Sequence, residues 1–238
     1  MKTEKVLYRE GGAELEGHLV YDPALAGARP LVLIAHAWSG QSDFERSKAM
    51  DLATLGYVGF ALDMYGKGVR GRNAGESSKL MSPFMEDRMR LRQRLLAGLQ
   101  AAREHALVDR DRIGAIGYCF GGLCALDLAR SGSDIRGVVS FHGLLGAPAL
   151  PDKAVVRAKV LALHGHDDPM ATPEHVAAFT REMTAAGVDW QIHIYGQTMH
   201  AFTNPDANDP GFGTVYSANA DRRSWIAMKS FLAELFGA

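Results

Sequence analysis

Three observations predict an α/β fold with a mainly parallel central sheet and helices on both faces. Strand-like and helix-like segments alternate along most of the 238 residues. Interior strands read as near-continuous apolar runs, LVLIA at 31–35 and VGFALDM at 58–64 among them, as strands buried on both faces do. The composition, 47% hydrophobic and 22% charged, is enough to bury a substantial core. No Pro/Ser-rich linker, charge block or internal repeat divides the chain, so residues 1–238 are expected to form a single domain.

The elements follow from local pattern. VLY at 6–8 and ELEGHLVY at 14–21 predict an opening hairpin around Gly11 and Gly12. After the strand at 31–35 come a helix near 45–55, the strand at 58–64 and a long helix over 82–106. The connection Val108–Arg112 leads into strand IGAIGY, ending at Tyr118, and a helix follows Cys119. Strands are then predicted at 135–141, 159–165 and 190–195, with helices at 173–187 and 221–236. The Gly/Ser-rich stretch 66–85 reads as a long loop, either a border of the functional pocket or an ordinary surface loop.

Charge excludes some partners. Lys plus Arg number 26 against 27 Asp plus Glu, so a net charge of -1 gives no general attraction to nucleic acid or anionic lipid. In the densest basic run, DRMRLRQR at 87–94, arginines at alternate positions scatter around a helix, which predicts a solvated, partly self-paired surface. The N-terminal MKTEKVLYREGG has no apolar stretch of signal-peptide length, and other apolar runs are strand-sized, which predicts a cytoplasmic protein that does not enter membranes. The only cysteines, Cys119 and Cys124, are too close along one turn and helix for a disulfide, in keeping with a reducing compartment. No pattern assigns an oligomeric state.

In parallel sheets functional groups gather beyond the carboxyl ends of the strands. There the sequence reads Gly117-Tyr118-Cys119-Phe120-Gly121. A strand that turns straight into a helix forces the intervening residue into a strained conformation, and side chains two positions either way would collide. Such a turn lifts Cys119 to a helix N-terminus, where unpaired N–H groups favour the thiolate. Neither a dinucleotide fingerprint nor a P-loop fits: the glycine spacing is wrong for the first, and no Lys follows Gly122 for the second. Cys124, inside the helix, reads as core.

A cysteine nucleophile needs a base and a group that orients it. Beyond the strand at 159–165 lies HGHDDP, offering Asp167 or Asp168; beyond 190–195 lies YGQTMHAFTNP, with His200 in an irregular loop. The order nucleophile, acid, histidine, each after a separate strand, is that of α/β-hydrolases. The backbone N–H of Phe120 and, from the loop AHAWSG at 35–40, that of Trp38 are the expected oxyanion donors. His36, Tyr118, Phe202 and Asn204 are expected to contact substrate. His164 and His166 beside two aspartates give no complete metal ligand set, and no cofactor is expected.

These residues support a resemblance. GYCFGG, HGHDDP and MHAF followed by Asn204-Pro205, with AHAWSG and ALDMYGKG, resemble the dienelactone hydrolase family of α/β-hydrolases over about residues 14–236. The resemblance implies Cys119 as nucleophile, Asp168 as the orienting acid and His200 as the base. Two positions depart from the family's dienelactone-cleaving members: their thiol-proximal glutamate is Ala37 here, and the arginine four residues after their catalytic histidine is Asn204. Arg70, Arg72 and Arg88 are candidates to supply the missing charge.

The expected activity is cofactor-free hydrolysis of a small ester, lactone or thioester through an acyl-thioester. A non-catalytic binding or thiol redox-sensing protein on the same fold is the rival reading. The complete Asp–His pair favours catalysis, because a sensor has no need of a general base.

Overall fold

The computed structural model describes residues 1–150 and 154–237. Strands β1 (Lys2–Glu10) and β2 (Ala13–Tyr21) pair antiparallel about Gly11 and Gly12. Then follow β3 (Arg29–Ala35), α1 (Asp43–Thr54), β4 (Val58–Ala61), α2 (Ala74–Glu86), α3 (Arg88–Arg103), β5 (Val108–Tyr118), α4 (Phe120–Arg130) and β6 (Gly137–Phe141). The chain continues through β7 (Lys159–Gly165), α5 (Pro173–Ala185), β8 (Trp190–Tyr195), a small ribbon of β9 (Asn208–Asp209) and β10 (Thr214–Val215), and α6 (Ala218–Phe236).

The main sheet has the order β1-β2-β4-β3-β5-β6-β7-β8, antiparallel at β1, β2 and β4 and parallel from β4 to β8. Its apolar runs divide by parity, because successive side chains of a strand point to opposite faces. Leu31, Leu33, Val138 and Val160 join one core with Leu91, Leu95 and Leu99 of α3, Leu123 of α4 and Phe179 of α5. Val32, Ile34, Val139 and Leu161 join the other with Leu52 of α1 and Met228, Phe231 and Leu232 of α6. Both faces are therefore covered, as the sequence pattern requires.

Several elements differ from the sequence expectation. The long helix over 82–106 is two helices, broken at Asp87, whose backbone leaves helical geometry and whose carboxylate accepts the Arg90 N–H at 2.9 Å as the cap of α3. The first of them begins at Ala74, so most of the stretch 66–85 expected as a long loop is helical; its cap is the Asn73 side-chain oxygen, which accepts the Glu76 N–H at 3.0 Å. Gly75, Ser77 and Ser78 conceal that helix, being poor helix formers. Strand β5 absorbs the connection at 108–112, with a register shift against β3 at Pro30/Leu31.

Of the arginines at 88–94, Arg90 is exposed as expected, whereas the other three engage distant elements. Arg88 pairs with Asp127 at 2.6 Å, Arg92 donates to the Ser131 carbonyl at 2.8 Å, and buried Arg94 reaches Glu10 and the Met64 carbonyl. No helix among the described residues is long and apolar enough to cross a membrane.

Candidate active site

The central turn is built by glycine. Strand β5 ends at Tyr118, Cys119 takes φ 57° and ψ -117°, and α4 starts at Phe120. A Cβ on Gly117 would lie 1.9 Å from the Gly121 carbonyl oxygen, and one on Gly121 would lie 2.0 Å from that of Ala35. Backbone occupies the space of both side chains, so only glycine lets the strand reverse into the helix there. Both cysteines are free thiols; Cys124 is buried in the core, whereas Cys119 is partly exposed and faces a cavity.

Two distant loops converge on Cys119. Asp168 lies in the turn after β7, its Oδ1 accepting the Met170 N–H at 2.8 Å and its Oδ2 accepting His200 Nδ1–H at 2.7 Å. Of the two candidate aspartates it is Asp168, buried, that meets His200; Asp167 is exposed. The backbone of His200 is held between Gly213 and Val215 of the ribbon. Its Nε2 is buried and makes no full hydrogen bond among the described residues.

His200 and Cys119 nevertheless perturb each other's ionisation. Burial opposes ionisation of the thiol, but His200 and the N–H groups of Phe120 and Trp38 outweigh it and lower the Cys119 pKa. Burial likewise opposes the imidazolium, yet the Cys119 thiolate and the Asp168 carboxylate raise the His200 pKa well above its usual value. Both shifts act in the direction that favours a thiolate beside an imidazolium.

The loop after β3 is fixed from behind. Buried Glu45 accepts the Ser42 N–H at 2.8 Å, the Ser42 hydroxyl at 2.6 Å and the Ala37 N–H at 3.3 Å, and the Tyr65 hydroxyl donates to the Trp38 carbonyl at 2.8 Å. The backbone N–H groups of Trp38 and Phe120 are among the groups that lower the Cys119 pKa.

The cavity has a volume of about 570 Å³. Apolar walls come from Trp38, Phe44, Met81, Met170 and Phe212, and its floor is Cys119, His200, His142 and Tyr118. Asn204 also borders it, as does Arg70, whereas Arg72 does not and Arg88 is engaged with Asp127. His36 and Phe202, expected as substrate contacts, lie outside it. His36 is fully buried between Ala37 and Met64, its Nδ1–H donating at 2.7 Å and its Nε2 accepting at 3.2 Å, and Phe202 is packed into the core beneath.

Sequence reasoning missed Glu45, Tyr65, His142 and Thr203. His142 was readable only as one histidine near a strand end; its position beside Cys119 comes from the parallel pairing of β5 with β6. No group of three or more potential metal ligands gathers among the described residues.

An eight-stranded sheet of this order, with a strained cysteine turn after its central strand and an acid and a histidine on later loops, defines an α/β-hydrolase fold. The chain belongs to the dienelactone hydrolase family, whose model matches residues 17–236, and it is a hydrolase. A probable 2-oxo-3-(5-oxofuran-2-ylidene)propanoate lactonase of a Bradyrhizobium species is 30% identical, over 80% of this chain and 81% of its own. The carboxymethylenebutenolidase of Pseudomonas putida is 26% identical over 95% and 97%. The crystal structure of a dienelactone hydrolase-like promiscuous phosphotriesterase from metagenomic libraries is 35% identical, with a TM-score of 0.92 over 99% of this chain and 98% of that one.

Proposed function

We propose that the protein hydrolyses a small ester, lactone or thioester through Cys119, His200 and Asp168, by way of an acyl-thioester. The Cys119 thiolate attacks the carbonyl carbon, forming a C–S bond and a tetrahedral oxyanion held by the N–H groups of Phe120 and Trp38. The oxyanion collapses, the bond to the leaving alkoxide or thiolate breaks, and the His200 imidazolium supplies the departing proton. Neutral His200 then takes a proton from water, whose hydroxide attacks the thioester; C–S cleavage releases the acid and restores the ion pair. Asp168 fixes the imidazole with its proton on Nδ1 and stabilises the cation. A single oxyanion donor is typically worth about 3 kcal/mol.

One observation carries this reading: the 2.7 Å bond from His200 Nδ1 to Asp168, which leaves Nε2 as the nitrogen available to a thiol on a strained, glycine-enclosed turn. Ala37 and Asn204 stand where the resemblance implies, in the family's dienelactone-cleaving members, a thiol-proximal glutamate and a carboxylate-binding arginine. Arg70 is the cationic side chain that borders the cavity among the described residues, so an anionic substrate group would be received there.

A panel of acyl esters, lactones and thioesters, run against wild type and Cys119→Ala, tests the reading. It includes one aryl phosphotriester, given the activity named for the 35%-identical relative. The expected result is hydrolysis of at least one carbonyl substrate by wild type and loss of that activity in Cys119→Ala. Full retention in the variant would reject the assignment.

A further inference from the structure

His142 stands at the end of β6 in a conformation that histidine rarely adopts, with φ at 39° and 2% of its surface exposed. The Cys119 N–H is shared between the Phe141 carbonyl at 3.0 Å and His142 Nδ1 at 3.1 Å, and His142 Nε2–H donates to the Thr203 hydroxyl at 2.8 Å. The ring meets that of His200 edge-on, with centroids 5.0 Å apart, and that of Phe202 at the same separation. One side chain therefore joins the peptide of the strained turn to the loop that carries the base.

We propose that His142 is a positioning residue for the Cys119–His200 pair, holding the nucleophile's peptide and the base's ring in register through a neutral imidazole protonated on Nε2. The inference rests on the hydrolytic reading above. Packing alone would be met by an apolar ring; only an acceptor on one side and a donor on the other satisfies both contacts.

The neutral state is required twice. An imidazolium offers two donors, so an Nδ1–H would oppose the Cys119 N–H and leave it only the Phe141 carbonyl, and it would set a second cation beside protonated His200. The titratable groups that face His142 are His200, His164, Cys119 and Tyr118. Burial, then the charge of His200, hold its pKa well below the ordinary histidine value.

Three variants test this: His142→Phe, which keeps the ring and removes both hydrogen bonds; His142→Gln, which keeps an acceptor and a donor; and Thr203→Val, which removes the partner of Nε2–H. The readouts are the pH profile of Cys119 alkylation by iodoacetamide, kcat and KM on a substrate from the panel, and thermal unfolding.

His142→Phe is expected to raise the alkylation midpoint by about one pH unit and to lower kcat about tenfold with KM within twofold. His142→Gln should recover at least half of each change, and Thr203→Val should move the midpoint the same way by less. A folded His142→Phe with the wild-type alkylation profile, or a His142→Gln as impaired as His142→Phe, overturns the proposal. If His142→Phe does not fold, a wild-type profile in Thr203→Val does so. Alkylation needs no substrate, so it separates this inference from the hydrolytic reading, which fails instead if Cys119→Ala stays active.

Discussion

A thiol in this position carries opposing influences, and their balance sets its reactivity. Burial raises the Cys119 pKa while His200 and two backbone N–H groups lower it, with a net decrease. Between that depressed value and the ordinary thiol value near 8.5, the folded protein holds a thiolate where an unfolded chain holds a thiol. Alkylation of Cys119 is therefore expected to reach its plateau at lower pH in native protein than in urea, and equal midpoints would refute the ion pair. Asp168→Asn should lower kcat by about 10³-fold or more, since an amide at that position no longer selects the Nδ1–H tautomer; steady-state kinetics on a cleaved ester checks it. The turn at Cys119 was legible in the sequence because its glycines are contiguous with it, although only Gly117 answers to the turn itself, 1.9 Å from the Gly121 carbonyl, whereas Gly121 answers to Ala35 of a neighbouring strand at 2.0 Å. His142 was not, because its contact with Cys119 spans two parallel strands and no spacing encodes it.

Among the elements, the strand–turn–helix of β5, Cys119 and α4 tolerates least change. Gly121→Ala drives a methyl into the Ala35 carbonyl, which belongs to the neighbouring strand and cannot move alone. The expected cost is about 1–3 kcal/mol or more in denaturant unfolding, together with loss of activity; an unchanged unfolding midpoint would contradict it. Strands β7 and β8 match the sequence expectation to the residue, and each is followed at once by turn-forming residues, His166-Asp167-Asp168-Pro169 after β7 and Gly196 after β8. The helix over 82–106 failed for the opposite reason: its periodicity runs through Asp87, and only the capping bond to Arg90 reveals that the chain starts afresh there. Asp87→Ala should cost about 1 kcal/mol in the same unfolding measurement.

At the scale of the whole molecule, a buried charge network secures the segment after β6. Asp127 pairs with Arg88 and Arg130, Arg130 with Glu182 at 2.7 Å, and Arg130 also donates to the Leu145 and Gly146 carbonyls. Removing Asp127 takes the shared partner from two guanidinium groups while Arg130 keeps Glu182, so Asp127→Ala should lose about 1–3 kcal/mol in denaturant unfolding. The sequence showed alternation of strands and helices but not this network, whose partners are up to 52 residues apart. The cavity divides along the same line: the residues around Cys119 were largely legible, but its walls, Met81, Met170 and Phe212, arise from loops and helices that only the fold assembles. Arg70→Ala should raise KM for anionic esters several-fold more than for neutral ones, and equal effects would show that the cavity does not read substrate charge there.

The central claim is that catalysis passes through a covalent bond to one sulfur. Quenching wild-type turnover of a slowly released ester and measuring the intact mass tests it directly. A mass gain equal to the acyl group, mapped to Cys119 and lost on further incubation, is the predicted result. Absence of any adduct, with Cys119→Ala turning over the same ester at the wild-type rate, would contradict it.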